Sequence, residues 1–268
     1  MGFDFERREK EMKRFAVVVF FCLVIAGINA LGQKDDLWVL AVGIDSFSEN
    51  QAFQDLSFCV SDAKEITGLF KAQEGKAFNK VNTLLIADTE AIKPVKADIL
   101  SNMSFFRNAK PNDTVIFYFA SHSMLDENGD LYLLASDSKT DANKKPVTDS
   151  MINFNDIAQS FNARGKKIII FDTHFSETAI KAAAGKNIAV FGACKDDEQA
   201  REGISFGGGL FTSSIVNAFK EGSFKDGKIT LQTLFPLVAD RVKKMSNGQQ
   251  NPVLYIPSGM GDPALGKQ

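Results

Sequence analysis

Cysteine, tryptophan, tyrosine and histidine are all scarce here, at 3, 1, 3 and 2 residues in a chain of 268. Cys22 lies in an N-terminal apolar run, so Cys59 and Cys194 are the only thiols left to the folded part. That excludes a disulfide-dense scaffold. Two buried, small apolar side chains are expected, with a single Cys59–Cys194 bridge after export as the alternative. The aromatic content is instead phenylalanine, 24 residues of it, which fills cores without needing a hydrogen-bond partner and reads as packing rather than a ligand cage. A basic excess is also missing: the formal net charge is −2 and no basic stripe occurs, which argues against a nucleic-acid partner. With 44% hydrophobic and 24% charged residues, no internal repeat and no low-complexity tract, the chain is expected to bury one sizeable core. No pattern calls for a cofactor. Gly207-Gly208-Gly209 lacks a P-loop lysine and does not fit a dinucleotide fingerprint, so it reads as a flexible loop ahead of a helix. Lys195-Asp196-Asp197-Glu198 lacks the ligand spacing of a calcium loop and reads as solvated.

An apolar run long enough to span a membrane comfortably is lacking too. Phe15 to Ile28 has the length of a signal-peptide core, follows Lys13-Arg14, and precedes small residues that offer cleavage after Ala30 or Gly32. Residues 1–33 are therefore expected to be a signal peptide, and the folded part to work outside the cytoplasm, periplasmic or secreted. A start at Met12 would give a more typical leader. If the first eleven residues are genuine, an uncleaved anchor with the domain outside is the alternative, and only then is a membrane a partner. No cysteine directly follows the run, so nothing supports lipid attachment. Removing residues 1–33 takes away 5 basic and 4 acidic side chains and leaves 26 against 29.

From Leu37 short apolar runs alternate with amphipathic stretches. Strands are expected over Leu37–Ile44, Val81–Ala87, Val115–Ala120, Lys167–Phe171, Ile188–Ala193 and Val253–Ile256. Helices are expected over Ser61–Lys71, Ile92–Arg107, Phe154–Asn162, Glu177–Ala184, Leu210–Lys220 and Leu231–Lys244. Asp126-Glu127-Asn128-Gly129-Asp130 is a turn signal before the short run Leu131–Ala135, and Ser136–Thr148 reads as a surface loop. Continuous apolar strands alternating with helices predict a three-layer α/β sandwich, a mostly parallel sheet with helices on both faces. The domain is expected over residues 34–258, with 259–268 a loose, flexible tail. Ligands of such sheets sit beyond the carboxyl ends of the strands, which selects Asp45, His122, Asp172, Thr173, His174 and Lys195.

Both histidines fall in that set, and their surroundings carry a resemblance. Phe117-Tyr118-Phe119-Ala120-Ser121-His122-Ser123 resembles the strand and Gly-His-Gly signature of the caspase and metacaspase clan. Fifty-two residues on, Ile168-Ile169-Ile170-Phe171-Asp172-Thr173-His174-Phe175-Ser176 resembles the clan's strand followed by Asp-x-Cys-x-Ser-Gly. A histidine some fifty residues before the nucleophile suits caspase-type enzymes. Leu40–Ile44, Val60-Ser61-Asp62-Ala63, Asp130–Leu134, Gly209-Leu210-Phe211-Thr212 and Gln250–Val253 are similar to further elements of that clan in the same order.

The resemblance implies a cysteine-type endopeptidase architecture, with His122 at the acid–base position and His174 at the nucleophile position. A caspase-type site needs a thiolate, a histidine to manage protons and N–H donors for the oxyanion. Cys59, expected before the first helix, and Cys194, on another strand, do not supply the thiolate. Ser121 and Ser123 stand where the clan has glycines, and Glu177 replaces the Gly after Ser176, placing a carboxylate near the cleft. Asp62 and Asp172 match the acidic pair that binds Arg or Lys in basic-specific members, although a helix N-terminal role for Asp62 and a backbone-bonded strand end for Asp172 are open alternatives. The leading expectation is a non-catalytic module that binds a peptide or protein ligand with basic side chains. Two rivals are a hydrolase using Ser176 or Ser123 with a histidine base, Ser176 otherwise capping a helix, and a metal site of His122, His174 and Asp172.

Overall fold

The computed structural model describes residues 34–47 and 53–268; the expected leader, with its Met12 and cleavage alternatives, lies outside the described residues. Six strands form one sheet in the order β2 (Val81–Ala87), β1 (Leu37–Gly43), β3 (Thr114–Ala120), β9 (Lys166–Asp172), β10 (Ile188–Gly192) and β14 (Val253–Tyr255). The first five run parallel, and β14 pairs antiparallel with β10.

Successive side chains of a strand point to opposite faces, and the buried residues sort accordingly. Val39, Ile116, Tyr118, Ile170 and Phe191 pack with helices α1 (Cys59–Lys71), α5 (Leu210–Glu221) and α6 (Leu231–Met245). Leu40, Phe117, Phe119, Phe171 and Val190 pack on the other face with α2 (Lys96–Asn102), α3 (Phe154–Ser160) and α4 (Ser176–Ala183). The expected three-layer sandwich is the architecture found, and phenylalanine is its main packing residue: Phe117, Phe119, Phe171, Phe191 and Phe211 are fully buried. Among the described residues no helix is long and apolar enough to cross a membrane.

Several boundaries differ from expectation for local reasons. The helix expected from Ile92 begins only at Lys96 and passes into a 3-10 segment, Met103–Asn108. Pro94 disfavours helical backbone at the residue before it, which delays the start. The first helix starts at Cys59, so that residue lies in its first turn rather than ahead of it. Within the expected loop 136–148, β6 (Lys139–Thr140) and β7 (Pro146–Val147) form a short hairpin. The run after the Asp126–Asp130 turn becomes β5 (Leu131–Leu133), held between β4 (Ser123–Leu125) and β8 (Ile152–Asn153).

The chain end is a clear correction. Residues 259–268 are not a loose tail: β15 (Ala264–Lys267) pairs with β13 (Lys228–Thr230), and Leu265 is fully buried. Gly and Pro in the segment signal turns, but only long-range pairing fixes its end.

Candidate functional site

The two histidines are brought together by strand register. Ala120 at the end of β3 pairs with Asp172 at the end of β9. His122 and His174 each follow two residues later, with the same separation of 52. They therefore leave adjacent parallel strands at the same level of the carboxyl edge. Hydroxyls tie the two exits together: Thr173 Oγ1 donates to Ser123 Oγ at 2.9 Å, and Ser123 Oγ donates to the His174 carbonyl at 3.0 Å.

Each ring has a backbone partner. His122 Nε2–H donates to the Gln54 carbonyl at 2.7 Å, and the ring lies 5.2 Å from that of Phe47. His174 Nδ1 accepts from the Ala200 N–H at 3.0 Å, so its own proton sits on Nε2. Burial, helped by charge on His122, lowers the His174 pKa below 6.5, and a neutral imidazole results at neutral pH. Phe175 adopts a left-handed conformation (φ 62°), turning the chain sharply from β9 into α4.

His122, His174, Asp62, Asp172, Cys59 and Glu202 line one cleft of about 70 Å³, room for about two waters. Its acidic end is closely built. Asp62 Oδ2 accepts from the Gly209 N–H at 2.8 Å, while Asp172 Oδ2 accepts from the Thr212 hydroxyl at 2.6 Å and from the Thr212 N–H at 3.2 Å. Tyr118 Oη lies 2.7 Å from Thr212 Oγ1 and donates to it, since the threonine proton is directed at Asp172. A Cβ on Gly209 would stand 2.6 Å from Asp62 Oδ2 and 2.8 Å from Asp172 Oδ2, so only glycine lets this backbone approach both carboxylates.

Burial and then the charge of Asp172 push Asp62 up to about 8, against a smaller lowering by the Gly209 N–H. Burial also raises Asp172, to about 6, against the two Thr212 bonds. Two buried carboxyls that converge on Gly209 cannot both ionise freely. At neutral pH the pair holds about one proton.

Other expectations are revised by the same geometry. Asp62 does lie in the first turn of α1, the helix N-terminal place expected of it, but its carboxylate caps nothing there and is turned to Gly209. Gly207–Gly209 is no free loop, because β11 (Glu202–Gly203) and β12 (Gly208–Gly209) form a hairpin seated on that carboxylate. Ser176 is fully buried; its hydroxyl faces the Thr173 carbonyl at 3.5 Å and makes no cap bond. The Ser123 hydroxyl is engaged by Thr173 and His174 backbone, so neither serine is bonded to an imidazole. The Glu177 carboxylate turns away and accepts from the Asp196 N–H at 3.2 Å. The segment 195–198 is anchored rather than merely solvated, with Asp196 accepting from Thr178 and Glu198 from Asn251. Among the described residues no group of three His, Cys, Asp or Glu side chains is placed to hold a metal ion, and of the expected His122–His174–Asp172 set Asp172 Oδ2 is already engaged by Thr212. Cys59 and Cys194 are free and buried, not bridged. Burial and nearby carboxylates, Asp172 foremost, push both thiols well up, so both are protonated. Sequence reading missed Thr212, Tyr118 and Ala200 as partners. Thr212 lies in the Gly209–Thr212 run, but that run gives no sign of which carboxylate it meets.

The caspase domain family model matches residues 37–258, and the chain belongs to that family. Its fold is similar to the crystal structure of a protein from Geobacter sulfurreducens, a structural-genomics target, at a TM-score of 0.59 and 13% identity, over 87% of this chain and 97% of that one. No curated protein matches significantly.

Proposed function

We propose that this chain is an exported caspase-fold module that does not cut peptides and that binds a peptide or protein ligand through a basic side chain. One observation carries the reading. At the end of β9, where the family's nucleophilic cysteine is expected, stands the neutral imidazole of His174, engaged at Nδ1 by Ala200. Neither remaining thiol replaces it, since Cys59 and Cys194 are buried and held protonated. An acyl-imidazole is labile, and among the described residues no thiolate is available to form a thioester.

The acidic pair supports the binding half of the reading. Asp62 and Asp172 share a narrow cleft with Glu202 beside them, a setting in which a guanidinium, whose planar fork matches two carboxylates, outcompetes an ammonium. The resting cleft is too small for such a side chain and its stem. Entry therefore requires the Gly209 N–H to release Asp62 and the pair to give up its shared proton. Export rests on the apolar N-terminal run with its basic flank.

The test is a paired assay of the chain and its His174→Cys variant on Arg- and Lys-terminated reporter peptides. No hydrolysis is expected from the unaltered chain, and measurable turnover from the variant. Turnover by the unaltered chain, lost in His174→Ala, would overturn the non-catalytic reading.

A further inference from the structure

A second concave site lies away from the histidines, between α1 and α5. Its volume is about 500 Å³, several times that of the acidic cleft, within the range of roughly 300–1,000 Å³ typical of small-molecule sites. Leu69 of α1 and Val216 and Phe219 of α5 form an apolar floor.

Gly68 makes the depth. It lies inside α1, where glycine costs stability relative to alanine because it gives up more backbone freedom. Nothing in the fold requires it: a Cβ at this position would meet no atom within 4 Å. The missing side chain opens onto the groove.

The rim is cationic. Lys76, Lys220 and Lys267 line it, with Glu65 the one acidic side chain among the lining residues. All three lysines are exposed, and among the described residues none has an ion-pair partner, whereas Lys64, Lys71, Lys110 and Lys181 do. A chain with net charge −2 thus places three ammonium groups, none ion-paired among the described residues, around one apolar hollow.

We infer that this groove binds a small amphipathic carboxylate, with an apolar chain laid over Gly68 against Leu69, Val216 and Phe219 and an anionic head held by Lys76, Lys220 and Lys267. The inference stands apart from the acidic cleft and shares none of its residues.

The probe is decanoate below its micellar concentration, titrated calorimetrically into the full chain, with decyltrimethylammonium as the opposite-charge control. Saturable one-site binding of decanoate and none of the cation is expected. Gly68→Met fills the hollow while improving helix propensity, so it should melt no lower than the parent and bind decanoate at least tenfold more weakly. The triple variant Lys76→Gln/Lys220→Gln/Lys267→Gln, altered only at exposed positions, should keep the fold and also lose at least tenfold. Equal binding of the cation, unchanged decanoate affinity in a folded Gly68→Met, or absence of saturable binding would each overturn the assignment. So would a Gly68→Met chain that changes only its self-association, which would give the groove to a second copy.

Discussion

The Gly209 N–H points at Asp62 Oδ2 from 2.8 Å, and a Cβ on the same residue would stand 2.8 Å from Asp172 Oδ2. A hairpin backbone thus sits where two carboxyls converge, and the protonation of those carboxyls is tied to the fold itself.

That tie has a sign. The unfolded aspartates ionise near pH 3.8, whereas in the folded chain Asp62 and Asp172 hold protons up to about 8 and 6. Between those limits the folded state carries more protons than the unfolded one, so stability falls as pH rises from about 4 to 8. Asp62→Asn keeps an oxygen acceptor for Gly209 and removes the ionisation. Thermal melts should show a smaller loss between pH 5 and pH 8.5 in the variant than in the parent. Parallel losses would mean that the pair is ionised throughout.

Binding of an arginine-terminated peptide should release protons. At pH 7 the pair gives up about one proton to accept a guanidinium, so calorimetric enthalpies measured in buffers of different ionisation heat should differ accordingly. Affinity should strengthen as pH rises from 6 to 8. Proton uptake, or equal enthalpies in all buffers, would contradict the shared-proton pocket.

Gly209→Ala forces a methyl group between the carboxylates. Overpacking of this kind costs about 1–3 kcal/mol, measurable by denaturant unfolding. Gly259→Ala is the control, since a Cβ there meets nothing within 4 Å, and it should leave the unfolding midpoint nearly unchanged.

His174 should titrate below the ordinary 6.5 and carry its proton on Nε2, as nitrogen shifts can read directly. His122→Asn removes the neighbouring charge, so the His174 pKa should move upward in that variant. An unmoved value would show that burial alone sets it.

Cys59 and Cys194 should resist thiol reagents in the native chain and both become labelled once it is unfolded, in the absence of reductant, as peptide mapping that separates them from Cys22 can read. Fast native labelling at either position would show a thiolate available to the cleft.

The sheet was readable because its strands are near-continuous apolar runs: β3, β9 and β10 appear in the sequence within a residue or two of their ends. His122, His174, Asp62 and Asp172 were likewise legible, from flanking motifs and strand ends, and they line one cleft. What stayed hidden depends on contacts across long sequence distance. Asp62 meets Gly209 over 147 residues and Asp172 meets Thr212 over 40, and no local pattern encodes either pairing. The same holds for β15, whose short Ala264–Lys267 segment becomes a strand only because β13 lies beside it. Glycines misled in both directions. Gly207–Gly209 looked mobile but is half of a hairpin, while Gly68 gave no signal and lies against open space.

Because Ala120 and Asp172 are partners on neighbouring strands, the level at which the two histidines leave the sheet is set by the ladder, and of the chain between them only the stretch at Leu133–Leu134 holds the His122 backbone directly. Shortening the excursion around residues 139–147 would leave that level undisturbed. A single residue inserted inside β3 would turn every later side chain of the strand to the opposite face, swinging His122 out of reach. The excursion around residues 139–147 is thus free to diverge in length, whereas β3 and β9 cannot gain or lose a residue without a bulge to restore the register.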